Sequence, residues 1–267
     1  MGQESERRSV MLFHELRRRL SQLNTTRIAT LNSPKPVSCE VRVSRSLVDV
    51  LPGHVHEHQR GRLYLAQRRV TDLYPAGASV VRNGICAVRS RGHEPDEVLF
   101  LDIESCGFSS CTIFLVGLLH LEGEDALVTQ LFARDYSEEA ALLSCLREML
   151  SGYQTLVTYN GKAFDVPFLR DRMLFHRVEG EFDHEHLDLL WEARRRWKGK
   201  LPDFRLQTLE LNICRRRRAN DIPGHIIPEL YHEFVRTGNA QLLQQVFHHN
   251  ALDLITMAEL LPAVNSA

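Results

Sequence analysis

Val98-Leu-Phe-Leu-Asp-Ile-Glu104 is an apolar run that ends in two carboxylates separated by one residue, and it constrains the fold more than any other stretch of the chain. Its apolar start reads as a buried strand. Alternation along a strand sends Asp102 and Glu104 to the same face. Two acids there are costly to bury unless something offsets their charge, and a hard divalent cation held by carboxylate oxygens and water is the usual solution. The alternative is a strand end that reaches solvent with two ordinary surface acids.

The surrounding pattern is mixed α/β. Thr112–Leu119 and Ala126–Phe132 read as two more strands, with turn residues between them that suit an antiparallel meander. Ser137 is the expected cap of a helix through Leu150, Thr155–Thr158 returns as a short buried strand, and helices are expected over about 164–175, 186–197, 228–236 and 240–261. This order predicts one sheet flanked by helices. Upstream, residues 10–23 carry apolar side chains at helical spacing, and short β-rich pieces such as Val37–Val43 and Arg62–Leu65 follow among Pro34, Pro36, Pro52 and Gly53. The polar stretch Arg89-Ser-Arg-Gly-His-Glu-Pro-Asp96 is the expected boundary between a small α+β amino-terminal region, 1–95, and an α/β domain, 96–267.

Composition narrows the class. With 43% hydrophobic and 25% charged residues in 267, the chain reads as an ordinary globular protein. Cys111–Leu119, its longest mostly apolar run, is too short for a bilayer, and the first residues lack a signal-like apolar segment, so a cytoplasmic location away from membranes is expected. The six cysteines form no CxxC pair and are expected to be reduced and mostly buried. A net charge of -1 excludes a uniformly basic nucleic-acid coat, yet Glu192–Arg218 holds ten Lys or Arg against three acids. The clusters Arg194–Arg196 and Arg215–Arg218 suit a phosphate-tracking groove or a solvated face. Three alternating histidines in His54-Val-His-Glu-His58 invite a zinc reading, which a flexible loop between Gly53 and Gly61 and the lack of a fourth ligand disfavour. Trp191 and Trp197 are expected to pack internally.

Two further constellations carry chemistry. In Tyr159-Asn-Gly-Lys-Ala-Phe-Asp165 a buried strand ends, turns at Gly161, and places Asp165 in the first turn of a helix, where an acid complements the helix dipole. In His248-His249-Asn-Ala-Leu-Asp253, His249 and Asp253 are four apart and share a helix face, whereas His248 points elsewhere. A histidine near its ordinary pKa of ~6.5 is able to take a proton at neutral pH.

Taken in order, Asp102-x-Glu104, Asn160-x4-Asp165 and His249-x3-Asp253 resemble the DEDD exonucleases of the ribonuclease-H-like fold. The stretch from about Phe100 to Leu261 is similar, more closely, to the YprB-like ribonuclease-H-like family. His186-Leu-Asp-Leu-Leu190, Arg205-Leu-Gln-Thr-Leu209, Asp221-Ile-Pro-Gly224 and Pro228-Glu-Leu-Tyr-His-Glu-Phe234 add to the likeness. The resemblance implies a 3′–5′ exonuclease in which Asp102, Glu104, Asp165 and Asp253 hold two Mg²⁺ or Mn²⁺ ions and His249 is the general base. The histidine subtype often has four residues between His and Asp, which would select His248, but the YprB-like spacing selects His249. Asn160 and Phe164 are implied to contact the terminal nucleotide, and Lys162 is a candidate phosphate contact against the alternative of a solvated lysine. Nucleic acid is the expected partner, DNA ahead of RNA, with a repair role and a helicase as a possible associate. Two competing readings are a binding module with the same fold but weak catalysis, and a proofreading subunit.

Overall fold

The computed structural model describes residues 46–107, 111–180, 182–218 and 221–265. Seven strands form a single mixed sheet: β1 His54–His58, β2 Gly61–Arg69, β3 Val98–Ser105, β4 Ile113–Glu122, β5 Asp125–Phe132, β6 Thr155–Thr158 and β7 Glu185–Asp188. Their spatial order is β1-β2-β5-β4-β3-β6-β7. The meander β3-β4-β5 is antiparallel, as its short connections dictate, and Gly123 sits at φ 62° in the two-residue turn that pairs Glu122 with Asp125. On the other side of β3, β6 and then β7 add in parallel. The longer helices are α1 Ala78–Cys86, α2 Glu139–Leu150, α3 Asp165–Phe175, α4 Leu189–Trp197, α5 Leu206–Asn212, α6 Ile227–Thr237 and α7 Gln244–Asn265. Among the described residues no helix is long and apolar enough to cross a membrane.

Side-chain alternation on β3 divides the core. Leu99, Leu101 and Ile103 join the layer made by α2 and α3 through Leu142, Leu146, Phe168 and Leu169. Val98 and Phe100 join the opposite layer, filled from α7 by Ala251, Leu254, Ile255 and Ala258. Asp102 and Glu104 continue the second series, so the strand aims both acids toward α7. Close packing keeps that helix near the sheet: a Cβ on Gly84 of α1 would stand 2.0 Å from the Ala258 carbonyl oxygen, and one on Gly117 of β4 would stand 2.1 Å from Asn250 Oδ1.

Several expectations change. The boundary near residue 95 does not separate the sheet, because β2 pairs with β5 from Tyr64–Phe132 to Arg69–Leu127 and α1 packs on α7. Backbone pairing of an edge to an existing meander outweighs the polar stretch between them. His54–His58 is the edge strand β1, paired with β2, and among the described residues no His, Cys, Asp or Glu group is arranged to hold a metal ion. The expected helix 186–197 begins as β7, whose four residues pair with β6 before Asp188 caps α4 by accepting from the Leu190 N–H at 3.0 Å. The side chain of Asp135, not Ser137, caps the 3₁₀ turn that leads into α2. Of the five described cysteines, all free, Cys145 alone is buried and the other four are half-buried. The expected helix 10–23 and the strand Val37–Val43 lie outside the described residues.

Candidate active site

The carboxyl ends of the parallel strands β3 and β6 open on the same side, the position where α/β sheets place ligands. β3 brings Asp102 and Glu104 there. β6 ends at Thr158, and the following turn folds back through Asn160, which holds a left-handed φ of 66° that Asn tolerates better than most residues. Asp188, at the end of β7, fixes this turn by accepting the N–H groups of Asn160 at 2.9 Å and Lys162 at 3.0 Å. A Cβ on Gly161 would lie 2.3 Å from Thr158 Oγ1, so the turn needs glycine there. From it, α3 starts with the buried Asp165.

α7 supplies the remaining groups. His249, buried, and Asp253 lie one turn apart, with Nε2 of the imidazole 3.5 Å from Asp253 Oδ2. The other ring nitrogen, Nδ1, lies 2.7 Å from Asp221 Oδ1, so it carries the proton and donates it to that carboxylate. His248 is exposed and faces away. Asn250, fully buried, donates to Asp102 Oδ2 at 2.8 Å and accepts from Gln130 Nε2 at 2.8 Å. Asp102, Gly117 and Gln130 form one row across β3, β4 and β5, and the missing side chain at Gly117 makes room for the Asn250 amide.

Electrostatics shows how crowded the acids are. Burial, followed by the charges of Asp253, Glu104 and Asp165, raises Asp102 well above the usual carboxylate range, against the pull of the Asn250 amide. Glu104 is pushed up to about 8 by burial, with His249 opposing and Asp253 and Asp165 adding to it. Burial also lifts Asp165 to about 7, partly countered by backbone N–H donors and reinforced by Asp188 and Asp253. Burial lowers His249, but the Asp221 hydrogen bond and the charges of Asp253 and Glu104 win and raise it to about 9. Asp221 is held at about 2 despite burial, because His249 and Arg218 stabilise its charge.

The four acids therefore converge with His249. Their donor set of carboxylate oxygens, three of them (Asp102, Glu104 and Asp165) lifted by burial and then by neighbouring acids, suits hard divalent ions. The side chains as they stand are not arranged to hold one, and Asp253 is turned to an ion pair with Arg218. Arg218 also pairs with Glu210 and with Asp221, the latter at 3.1 Å, and Arg216 pairs with Glu210 at 2.6 Å and Glu259 at 3.0 Å. Half of the Arg215–Arg218 cluster is thus committed to buried acids and is not a groove surface, while Arg215 and Arg217 stay exposed. Phe164 is half-buried and stacks on Phe168 at 5.6 Å, and the Lys162 ammonium lies 5.1 Å from the centre of the Trp191 ring. Trp191, expected inside, is 56% exposed.

Asn250, Gln130, Asp221 and Arg218 were not legible as site residues. Two of them leave a signal: Asn250 lies three residues before Asp253 and so on the same helix face, and Asp221 opens the motif Asp221-Ile-Pro-Gly224.

Comparison with known proteins agrees with this fold. Residues 99–265 match the family model of the RNase_H superfamily. The chain is 34% identical over 177 residues to the Uncharacterized protein YprB of Bacillus subtilis (strain 168), covering 64% of this chain and 42% of that protein. The fold is similar to the family B DNA polymerase from the hyperthermophilic archaeon Pyrobaculum calidifontis, with a TM-score of 0.50 and 14% identity, covering 65% of this chain and 27% of that one.

Proposed function

Because the chain belongs to the RNase_H superfamily and carries its nuclease-type fold, we propose that it is a divalent-metal-dependent 3′–5′ exonuclease acting on nucleic acid, DNA ahead of RNA. The observation that carries this reading is the convergence of Asp102, Glu104, Asp165 and Asp253 with the His249 imidazole at one end of β3. Magnesium or manganese bound by these carboxylates would supply activation of water and stabilisation of the charge that develops on the scissile phosphate and the leaving oxygen.

The chain's own groups do the rest. The Asp221 carboxylate holds Nδ1–H, so the base is Nε2; the charges of Asp253 and Glu104 that keep this nitrogen protonated below about pH 9 would be offset by bound cations, which would free it to take the proton from the attacking water. Asn250 fixes the Asp102 carboxylate from the helix side. In this reading Asn160 and Phe164, on the turn and helix start beside Asp165, bind the terminal nucleotide and Lys162 meets a phosphate; their position next to Asp165 supports it. A cytoplasmic setting, a role in repair and a helicase partner belong to the same proposal.

The Arg218–Asp253 ion pair favours a second reading, a nucleic-acid-binding module with weak catalysis. One assay separates the two. An oligonucleotide labelled at its 5′ end should shorten from the 3′ end in Mg²⁺ or Mn²⁺, stay intact in EDTA, and stay intact with Asp102→Asn or Asp165→Asn. Single-stranded DNA, duplex DNA and RNA run side by side give the preference. Internal cuts, or cleavage surviving both substitutions, would refute the exonuclease mechanism; binding without cleavage under every condition would select the module.

A further inference from the structure

α4 presents two different faces. Leu189, Leu190 and Ala193 are buried, whereas Trp191, Arg194, Arg195 and Lys198, spaced at three and four, are all exposed. A large indole left 56% exposed beside cations is uncommon on a surface with no use for it. The Lys162 ammonium covers part of its ring at 5.1 Å. Arg194 is close enough for its charge to act on the Tyr159 phenol, against the larger effect of burial. Arg195 leans on Glu192 at 2.6 Å and remains exposed.

This face is tied rigidly to the candidate site. The Asp188 carboxylate caps α4 through Leu190 N–H and at the same time holds the N–H groups of Asn160 and Lys162. One side chain therefore locks the helix that carries Trp191 to the turn that leads into Asp165.

Resting on the exonuclease reading, we propose that Trp191, flanked by Lys162, Arg194 and Arg195, is a stacking platform for an unpaired nucleic-acid strand as it approaches the acids. Three features support that occupant. The exposed ring offers a face on which any base can stack, the cations complement the phosphates on either side, and the platform adjoins the Asn160–Phe164 turn. A base inside a duplex is covered on both faces by its stacked neighbours, so the platform selects single strands or frayed ends. Trp191 gives sequence-tolerant affinity and does not take part in bond breaking.

The test measures binding with chemistry switched off. In EDTA, unlabelled oligo-deoxythymidine should quench the tryptophan emission of the wild-type protein, and Trp191→Phe should lose most of that quench. With a fluorescent end label on the same strand, Trp191→Ala should bind roughly tenfold or more weakly, as loss of one stacked base predicts, and Trp191→Phe should fall in between. A blunt duplex should bind with little quench. Equal affinity for wild type and Trp191→Ala, an unchanged quench in Trp191→Phe, or equal quenching by the duplex would overturn the platform. Cleavage by the wild type in Mn²⁺ is scored separately. A protein that cleaves while its Trp191 variants bind normally refutes the platform alone; one that binds with the full quench yet never cleaves refutes the catalytic reading alone.

Discussion

Replacing Asp165 by Asn should stabilise the metal-free protein while abolishing its nuclease activity. Asp165 is 5% exposed at the start of α3 and is pushed from 3.8 to about 7 by burial and by Asp188 and Asp253. At ~1.36 kcal/mol for each tenfold, holding this carboxylate ionised in the folded state costs on the order of 4 kcal/mol. The folded pKa lies above the unfolded one, so folding favours the protonated acid: the stability is fully present below about pH 4 and is lost as pH rises through about 7. Asn keeps an oxygen for the backbone donors and has no charge. Its advantage should therefore be small at pH 4, grow to about pH 7, and level off above it, where it amounts to on the order of 10 °C in Tm for a domain of this size. Scanning calorimetry of both proteins in EDTA across that range checks the sign and the plateau. An Asn variant that melts below the wild type at pH 8.5, or a difference independent of pH, would refute the idea that Asp165 is ionised against the resistance of its neighbours.

Other substitutions probe the supports of the site. Gly117→Ala places a methyl 2.1 Å from Asn250 Oδ1, and overpacking of this kind should lower stability by ~1–3 kcal/mol in urea and reduce turnover as Asn250 moves off Asp102. Arg218→Ala leaves Glu210, 1% exposed, without one of its arginines and should cost about 3 kcal/mol, whereas Arg217→Ala on the exposed side should fall within ~0.5 kcal/mol of wild type. His249→Ala should remove most turnover and His248→Ala little of it, as single-turnover rates at saturating metal will report; the reverse order would reassign the base.

The sequence makes the acids easy to find and their supports hard to find, for a physical reason. Asp102 and Glu104 announce themselves because strand alternation is local, and His249 and Asp253 because a helix turn is local. The row Asp102, Gly117 and Gln130 is assembled by pairing three strands, and Asn250 reaches it from a helix much later in the chain. No local period encodes such a row. Arg216 and Arg218 mislead similarly: a run of four arginines reads as a phosphate-tracking groove or a solvated face until the chain brings Glu210, Asp221, Asp253 and Glu259 against two of them. β1 and β7, edge strands of five and four residues, are too short for their period to be told from a loop or a helix start. Trp191 shows the opposite case, since helical spacing from Leu190 and Ala193 already turns it outward and only the habit of burying tryptophan hides this.

Calorimetric titration with Mn²⁺ at pH 8 tests most directly whether the gathered acids form a cation site. Wild-type protein is predicted to take up two ions per chain, and Asp102→Asn to lose at least one while staying folded. Absence of any metal-binding heat in the wild type, or identical isotherms for both proteins, would contradict the proposal that these carboxylates exist to hold divalent ions.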